Sequence, residues 1–373
     1  MIEHRPVWAE VDLGALRWNI ETLASSAAPA VLLAVVKADG YGHGAVPAAR
    51  AAVEAGAAWL GVALVEEGAA LRDAGIDAPI MLLSEPPEEA ASVVVERGLT
   101  PVVYTSGGIA ALAGAVAHHG GPPHAVHLKV DTGMHRVGCA PEAALGLAKE
   151  VEGYGDLVLE GVLTHLAAAD EPDHPYTSEQ LARFDDVVGA VTGAVGPVRL
   201  VHAANSAGAL AVPDSRHDLV RVGIAAYGIE PAPALRGVVA LRPVLALKAR
   251  VSFVKDVEAG TSVSYGLHYA TSSQVRLATV PIGYADGVPR NLGIAGGEVL
   301  VRGRRRRIAG AVTMDQLVVD CGDDLVDVGD EVVLLGVQGG EEITAGEWAE
   351  RLGTIAYEIV CGIGPRVPRR YLG

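Results

Sequence analysis

The feature that most constrains the fold is a regular alternation of short apolar runs with helix-like segments between residues 31 and 222. Each run is short enough for a strand, and each is followed by a segment with helical periodicity. The runs cover residues 31–36, 59–63, 78–83, 100–103, 125–130, 157–163, 198–202 and 219–222. Strands that alternate with helices predict a parallel sheet, and eight of them predict a (β/α)8 barrel of the TIM type.

The pattern changes after about residue 237. Strand-like runs continue at residues 244–254, 275–280, 299–302, 307–312, 316–319 and 331–335, and helical periodicity is nearly absent until residues 345–351. We therefore predict an α/β chain with a barrel over residues 1–237 and a mainly β domain over residues 238–373. The first strand, at about residues 6–12, has a half-buried pattern and is left free to pack with the C-terminal domain instead.

Composition narrows the class of partner. The 373 residues carry a formal net charge of −16, which argues against nucleic acid or an anionic membrane as partner. Cys139, Cys321 and Cys361 are widely spaced and form no CxxC pair, so a reducing cytosol fits better than a disulfide framework. There is no apolar run of membrane-spanning length and no signal-like N-terminus, so we expect a cytoplasmic protein. Four histidines between residues 118 and 127 lack a metal-binding frame, and we expect no metal.

Lys37 is the first candidate for chemistry. It ends a buried apolar run, where an ammonium group is costly unless it is paired or neutralised. A Schiff base with a carbonyl cofactor would remove that cost, whereas the structural alternative is a lysine that snorkels out past the strand end. Glycines at positions 40, 42 and 44 follow, and glycines permit close approach of the backbone to a ligand.

The glycine-rich stretch after Lys37 also fits the dinucleotide-binding fingerprint, but only weakly. That fingerprint requires an acidic residue about 20 positions further on for a ribose contact. Glu66 lies near that distance, but it stands at a predicted helix start beside Glu67. We expect both glutamates to lie on a solvated helix face.

Other polar residues fall near the ends of predicted barrel strands. They are Lys129, His165, Asn205 and Arg221. Catalytic groups in (β/α)8 barrels lie at the C-terminal ends of the strands, so this coincidence predicts an active site at that end. Gly223 and Ile224 follow the eighth strand, where such barrels commonly bind phosphate through backbone N–H groups.

The stretch Val35-Val36-Lys37-Ala38-Asp39-Gly40-Tyr41-Gly42-His43-Gly44 closely resembles the pyridoxal phosphate (PLP) lysine motif of bacterial alanine racemases. Further segments resemble motifs of the same family in the same order, at residues 127–138, 219–231, 263–266, 281–287 and 312–316. The resemblance implies a PLP-dependent enzyme of fold type III. It would interconvert L-alanine and D-alanine and supply D-alanine for peptidoglycan.

The resemblance implies a role for each candidate residue. Lys37 and Tyr265 would be the two catalytic bases, on opposite faces of the substrate. Lys129 would be carbamylated by CO2 and orient Arg136. The substrate would contact Arg136, Tyr284 and the backbone N–H of Met314. The cofactor would be bound by Lys37 together with Tyr41, His165, Asn205, Ser206, Arg221, Gly223, Ile224 and Tyr357.

Two of these implied roles carry wider consequences. Arg221 would face the pyridine nitrogen of PLP. Because an arginine stays protonated, the ring nitrogen would remain unprotonated, which disfavours transamination. Tyr265 would come from the other subunit, so the enzyme would be a homodimer with active sites shared across the interface.

Alternatives remain open at this stage. A racemase of serine or lysine would use the same scaffold, and a fold-type III decarboxylase would want a carboxylate in place of Arg221. A one-domain PLP-homeostasis protein would lack Tyr265 and the C-terminal third. A non-enzymatic paralogue that sequesters D-cycloserine could use an intact site.

Val288-Pro289 departs from the family pattern, which has bulkier residues there.

Overall fold

The computed structural model describes residues 4–373 and divides the chain into two compact units. The barrel unit comprises Leu16–Gly40 and Ala45–Arg242. The sheet unit comprises residues 4–15, Tyr41–Gly44 and Pro243–Gly373. Strands are numbered along the chain, and the first of them, β1 (Val7–Asp12), belongs to the sheet unit.

The barrel unit is built on eight parallel strands. They are β2 (Val31–Val35), β3 (Trp59–Val62), β4 (Ile80–Leu82), β5 (Thr100–Val103), β6 (His124–Lys129), β7 (Leu157–Leu163), β8 (Leu200–His202) and β9 (Leu219–Val222). Their order in the sheet is β8-β7-β6-β5-β4-β3-β2-β9. Two hydrogen bonds link the outer strands, from the Asp218 N–H to the Val201 carbonyl at 3.0 Å and from the Arg221 N–H to the Ala204 carbonyl at 3.0 Å. The predicted barrel is therefore confirmed, nearly closed.

Helices follow the barrel strands and cover their outer faces. Strands β3, β4 and β9 are buried along their whole length, as expected for a parallel sheet covered on both sides. The α-helices of this part are Leu13–Ala27, Ala45–Glu54, Val65–Asp73, Ala91–Glu96, Ser106–His119, Pro141–Gly153, Pro175–Val195 and Ser206–Ala211. Short 3-10 helices span Glu88–Ala90, Pro213–Ser215, Ile224–Tyr227 and Pro233–Leu235.

The sheet unit is mainly β, as predicted. Its later strands are β10 (Leu245–Arg250), β11 (Phe253–Val257), β12 (Ser262–Val263), β13 (Tyr269–Ala270), β14 (Val275–Val280), β15 (Glu298–Val301), β16 (Arg304–Ile308), β17 (Leu317–Asp320), β18 (Glu331–Gln338), β19 (Glu341–Ile343) and β20 (Arg369–Leu372). Helices span Ala345–Leu352 and Ala356–Cys361, and 3-10 turns span Tyr265–Leu267 and Tyr284–Asp286.

One large sheet organises this unit, in the order β11-β14-β17-β16-β15-β18-β10-β1-β20 with β19 on β18. Strand β1 pairs antiparallel with β10 and parallel with β20. The run predicted at residues 244–254 is two strands, because β10 pairs with β18 whereas β11 pairs with β14. Within the part of the chain described, no helix is both long and apolar enough to cross a membrane.

Candidate active site

The barrel unit gathers basic side chains at the C-terminal ends of its strands. Lys37 follows β2, Lys129 ends β6, His165 follows β7 and Arg221 lies in β9. Burial first, and then the charges of Arg221, Arg136 and Lys37, lower the pKa of Lys129 to about 7. Burial first, and then the charges of Arg221, Arg136, Lys129 and Lys37, hold the pKa of His165 well below its usual value. These five side chains therefore lie within electrostatic reach of one another, and their surroundings suit an anionic ligand.

The backbone after Lys37 forms a left-handed turn. Ala38, Asp39 and Tyr41 each have φ of 53°, and Gly40 between them has φ of 62°. For a residue other than glycine this conformation costs roughly 1–2 kcal/mol, and such strain is concentrated at functional sites. The turn is fixed by hydrogen bonds from the Gly40 N–H to the Val36 carbonyl at 2.9 Å and from the Ala45 N–H to Asp39 Oδ1 at 2.8 Å. Lys37 therefore stands at the start of a backbone segment held in one unusual conformation.

Glu67 helps to hold this turn, which contradicts its predicted place on a solvated helix face. Its Oε1 accepts a hydrogen bond from the Ala38 N–H at 2.7 Å. Its Oε2 accepts from the N–H groups of Ala63 at 2.8 Å and Leu64 at 3.1 Å. The prediction was wrong because the acceptor role depends on β2 and β3 being neighbours, which helical periodicity does not reveal.

Arg221 is 5% exposed, and its guanidinium is held by neutral acceptors. Nη2 donates to the carbonyl groups of Thr164 at 2.8 Å and Ala203 at 2.9 Å, and it lies 3.3 Å from His165 Nδ1. Nη1 lies 3.0 Å from His202 Nδ1. Burial lowers the pKa of Arg221 to about 10, so the side chain remains a cation at neutral pH.

Lys129 is buried, and its Nζ donates to the Leu83 carbonyl at 2.6 Å. The loop that follows carries Arg136, which is exposed. Asp131 shapes this loop, since its Oδ1 accepts from the N–H groups of Gly133 and His135 at 3.0 Å each. A lysine with a pKa near neutrality has a substantial fraction of neutral amine, which is its nucleophilic form.

The segment predicted to bind phosphate lies just after β9. Ser206 is 4% exposed and begins the helix Ser206–Ala211, which Asn205 caps by accepting from the Gly208 N–H at 2.9 Å. Ile224 begins a 3-10 helix, and amides in a first helical turn lack partners within that helix. The Gly223 N–H donates to Ser206 Oγ at 2.9 Å, so a phosphate would bind that amide only after this bond opens.

The sheet unit presents its predicted site residues on turns. Tyr265 stands in the 3-10 turn between β12 and β13 and is 70% exposed. Tyr284 and Met314 are also exposed, on adjacent loops that are joined by a hydrogen bond from the Tyr284 N–H to the Thr313 carbonyl at 3.0 Å. Among the residues described, the Met314 N–H has no acceptor. The rings of Tyr41 and Tyr357 lie 6.2 Å apart.

Fold and site together define a (β/α)8-barrel enzyme whose strand-end lysine lies among buried cations. Two family models match the chain, the alanine racemase N-terminal domain over residues 11–231 and the alanine racemase C-terminal domain over residues 244–371. The chain therefore belongs to the alanine racemase family, and it is an isomerase of the amino-acid racemase class.

Individual relatives agree over the whole length. The chain is 50% identical to an alanine racemase of Symbiobacterium thermophilum, covering 99% of this chain and 98% of the relative. It is similar to the crystal structure of alanine racemase from D-cycloserine-producing Streptomyces lavendulae, with a TM-score of 0.93, 44% identity and coverage of 100% and 98%. It is also similar to alanine racemase from Bacillus anthracis with bound L-Ala-P, with a TM-score of 0.92, 38% identity and coverage of 100% and 96%.

Proposed function

We propose that this protein racemises alanine with PLP as its cofactor and with Lys37 and Tyr265 as the two bases. The observation that carries the proposal is the cluster of Lys37, Lys129, Arg136 and Arg221 at one end of the barrel, next to the left-handed turn. PLP carries a phosphate and a phenolic oxygen, so an excess of positive charge fits it. A buried arginine in place of a carboxylate favours a racemase over a fold-type III decarboxylase.

When bound, PLP would withdraw electrons from Cα of the substrate and make the Cα proton acidic. Racemisation then requires one group to remove this proton and another to deliver one to the opposite face. We assign these roles to Lys37 Nζ and Tyr265 Oη. Arg136, Tyr284 and the Met314 N–H would hold the substrate carboxylate and line the entrance.

The remaining predicted residues would hold the cofactor. The Ser206 hydroxyl, which accepts from Gly223, keeps its own proton free to donate to a phosphate oxygen. Asn205, Ile224, Tyr41 and Tyr357 belong to the same proposed set. Arg221 would face the pyridine nitrogen, and its hydrogen bonds to Thr164 and Ala203 carbonyls fix the guanidinium in place. His165 would stay neutral beside it, because burial and the neighbouring cations lower its pKa.

We propose that the neutral amine of Lys129 attacks the carbon of CO2, forming an N–C bond as one C=O π bond breaks, and releases a proton to water to give a carbamate. The Lys129 pKa of about 7 supplies the neutral amine that this reaction needs. The product is an anion, and it would attract and orient Arg136 where an ammonium group would repel it.

We infer that the working enzyme is a homodimer in the cytoplasm. Tyr265 and Leu267 are 70% and 67% exposed, and Met314 is 53% exposed, on turns of the sheet unit. Ser264 Oγ donates to the Ala311 carbonyl, so the segments that carry these three side chains are neighbours, and we assign their exposed surface to the contact with a second copy. Cys139 and Cys321 are free thiols, as expected in a reducing compartment. D-alanine for peptidoglycan is the proposed use of the product. The gene should rescue a D-alanine auxotroph, and a Lys37→Ala variant should not.

Borohydride reduction tests the cofactor assignment directly. Reduction of the PLP-loaded protein, followed by peptide mapping, should place a phosphopyridoxyl group on Lys37. The absorbance band of the bound cofactor should be lost in Lys37→Ala. An adduct on Lys129 or Lys149 in place of Lys37 would refute the assignment.

A further inference from the structure

A chain of hydrogen bonds leads from Arg221 through the interior of the barrel unit to its surface. Arg221 Nη1 lies 3.0 Å from His202 Nδ1, and His202 Nε2 lies 2.9 Å from His127 Nδ1. His127 Nε2 lies 3.2 Å from Glu160 Oε2. The other oxygen of Glu160 accepts from Arg199 Nη2 at 2.6 Å, and the Arg199 side chain is 60% exposed.

The chemistry of the two ends fixes the direction of every bond between them. An arginine only donates, so His202 Nδ1 accepts and the His202 proton is on Nε2. His202 then donates to His127 Nδ1, which leaves the His127 proton on Nε2. That proton points at Glu160, whose ionised carboxylate only accepts. The hydrogen-bonding requirements of Arg221 and Glu160 therefore give the same tautomer, protonated on Nε2, for both His202 and His127.

The backbone makes room for this chain. Strands β6 and β7 pair Val126 with Leu159 and His127 with Gly161, so Glu160 is an extra residue in the ladder. Such a bulge redirects a side chain, and bulges are common next to active sites. A Cβ on Gly161 would lie 2.3 Å from His127 Nδ1, so a larger residue there would displace the imidazole.

The charges at the two ends of this chain of hydrogen bonds indicate its role. Within the described part of the protein, no carboxylate pairs directly with Arg221, although its guanidinium is buried. Burial, followed by the charge of Arg221, holds the pKa of His202 well below its usual value, and burial lowers that of His127. Burial raises the pKa of Glu160, but hydrogen bonds from His127 and Arg199 outweigh it and lower the net value. Two neutral imidazoles thus separate a buried cation from an anion.

We propose that Glu160, His127 and His202 are positioning residues that fix the orientation of Arg221 and compensate its charge. The role rests on the proposed function, in which Arg221 faces the ring nitrogen of the cofactor. The bond from Nη1 to His202 holds the Arg221 guanidinium in one orientation. The aligned dipoles of the two imidazoles extend the stabilising effect of the Glu160 charge towards the guanidinium. Without this compensation Arg221 would have more freedom to shift away from the ring nitrogen.

The first test needs no substitution and no activity. Full-length protein labelled with ¹⁵N-histidine is compared without and with PLP at pH 7 by long-range ¹H–¹⁵N correlation, which distinguishes the tautomers. We expect His127 and His202 to be neutral and protonated on Nε2 in both samples. A ring protonated on Nδ1, or on both nitrogens, at either position would overturn the proposal.

The second test asks whether Glu160 acts through the chain. Glu160→Gln keeps an acceptor oxygen and removes the charge, so the Nε2–H resonances of both histidines should move upfield, including that of His202, which Glu160 does not touch. With PLP bound, kcat should fall about tenfold while KM changes less than about twofold, because only the placement of Arg221 is altered. Glu152→Gln is the matched control, since Glu152 Oε1 accepts from the Leu159 N–H at 3.2 Å and lies outside the hydrogen bonds that link Glu160 to Arg221. It should move neither resonance.

The outcomes separate this proposal from the proposed function. A shift confined to His127, or a Glu160→Gln enzyme with unchanged kcat, would show that Glu160 does not act on Arg221 through the two histidines. Wild-type protein that binds no PLP would overturn the proposed function, while the tautomers would still be measured. If Glu160→Gln does not fold, Arg199→Gln removes the exposed partner of Glu160. The Arg199→Gln variant should shift both histidine resonances in the same direction by a smaller amount. No shift at His202 would again overturn the proposed positioning role.

Discussion

At the scale of single residues, the two proposed bases lie in very different settings. Lys37 is partly buried at the end of β2 and is followed by five consecutive residues of positive φ, from Ala38 to Gly42. Tyr265 is exposed on a short 3-10 turn, preceded by Ser264 with φ of 64°. Ser264 Oγ donates to the Ala311 carbonyl at 2.6 Å and fixes that turn. Both proposed bases are therefore carried by hydrogen-bonded turns of unusual conformation, which would lower the entropic cost of holding a catalytic atom in place.

Tyr265→Phe should separate the two faces of catalysis. The substitution keeps the ring and removes only the hydroxyl, so folding and PLP binding should persist. Racemisation in both directions should fall by at least about a hundredfold, the usual loss for a general acid or base. Deuterium exchange at Cα of D-alanine should continue through Lys37, whereas exchange from L-alanine should nearly stop.

Tyr269→Phe provides the control, because Tyr269 stands on the same hairpin and its hydroxyl donates to Asp320 Oδ2 at 2.6 Å. This variant should racemise alanine at close to the wild-type rate. Equal loss of exchange from both enantiomers in Tyr265→Phe, with PLP still bound, would show that the two-base assignment is wrong.

Lys129 should make stability depend on pH. Burial and its cationic neighbours lower its pKa from 10.5 to about 7, so between these values the unfolded chain binds a proton that the folded chain does not. The free energy of unfolding should therefore rise with pH across this window, by on the order of a few kcal/mol. Urea unfolding of PLP-free protein in CO2-free buffer, compared with Lys129→Met, measures this. Parallel curves for the two proteins between pH 7 and 10 would contradict it.

At the scale of elements, two loops of the sheet unit are held together by one buried carboxylate. Asp286 is fully buried and accepts from the Gly283 N–H at 3.0 Å. Arg5 Nη1 lies 2.9 Å from Asp286, and Arg366 Nε lies 3.2 Å from it. Arg366 also pairs with Asp315 at 2.7 Å, next to Met314. The loop with Tyr284 and the loop with Met314 are thus fixed by one set of ion pairs.

Asp286→Asn should loosen both loops. It leaves two arginines without their buried anion, so stability should fall by about 2–4 kcal/mol, less than for a wholly buried pair because both arginines reach water. KM for alanine should rise as the substrate loops lose their fixed positions. Thermal unfolding and steady-state kinetics measure the two effects.

Asp315→Asn is the matched control for Asp286→Asn. Its carboxylate is 58% exposed, and an exposed ion pair contributes at most about 1 kcal/mol. A stability loss in Asp315→Asn as large as that in Asp286→Asn would contradict the role assigned to burial.

At the scale of the whole molecule, the proposed active site requires two chains. Mixing Lys37→Ala protein with Tyr265→Phe protein should therefore restore activity to a pair of inactive variants. Each mixed dimer would carry one site with both bases and one with neither, so about half of the wild-type activity per dimer is the upper limit. Activity assays after subunit exchange, with exchange confirmed by native mass spectrometry, test this. Mixed dimers that form and recover no activity would refute the shared site.

Sequence alone determined the barrel strands and the mainly β C-terminal part, because the periodicity of apolar residues reports which faces are buried. It also placed Lys37, Lys129, His165 and Arg221 near the ends of strands, where a (β/α)8 barrel concentrates catalytic groups. The resemblance to a family supplied Tyr265, Arg136 and Met314, which no local pattern singles out. These assignments needed only the residue pattern within each segment and the order of the segments along the chain.

Tertiary structure alone decided which polar groups meet. The bond from Ala38 to Glu67 exists because β2 and β3 are neighbours, and Glu160 reaches His127 because a bulge adds one residue to β7. His127 and Lys129 at alternate positions of a buried strand were the available signal, since both then point to the same face. Their partners lie on other strands, more than 30 residues away in sequence for the Glu160 contact. Such pairings are fixed by register and packing between distant segments, and periodicity within one segment carries no information about them.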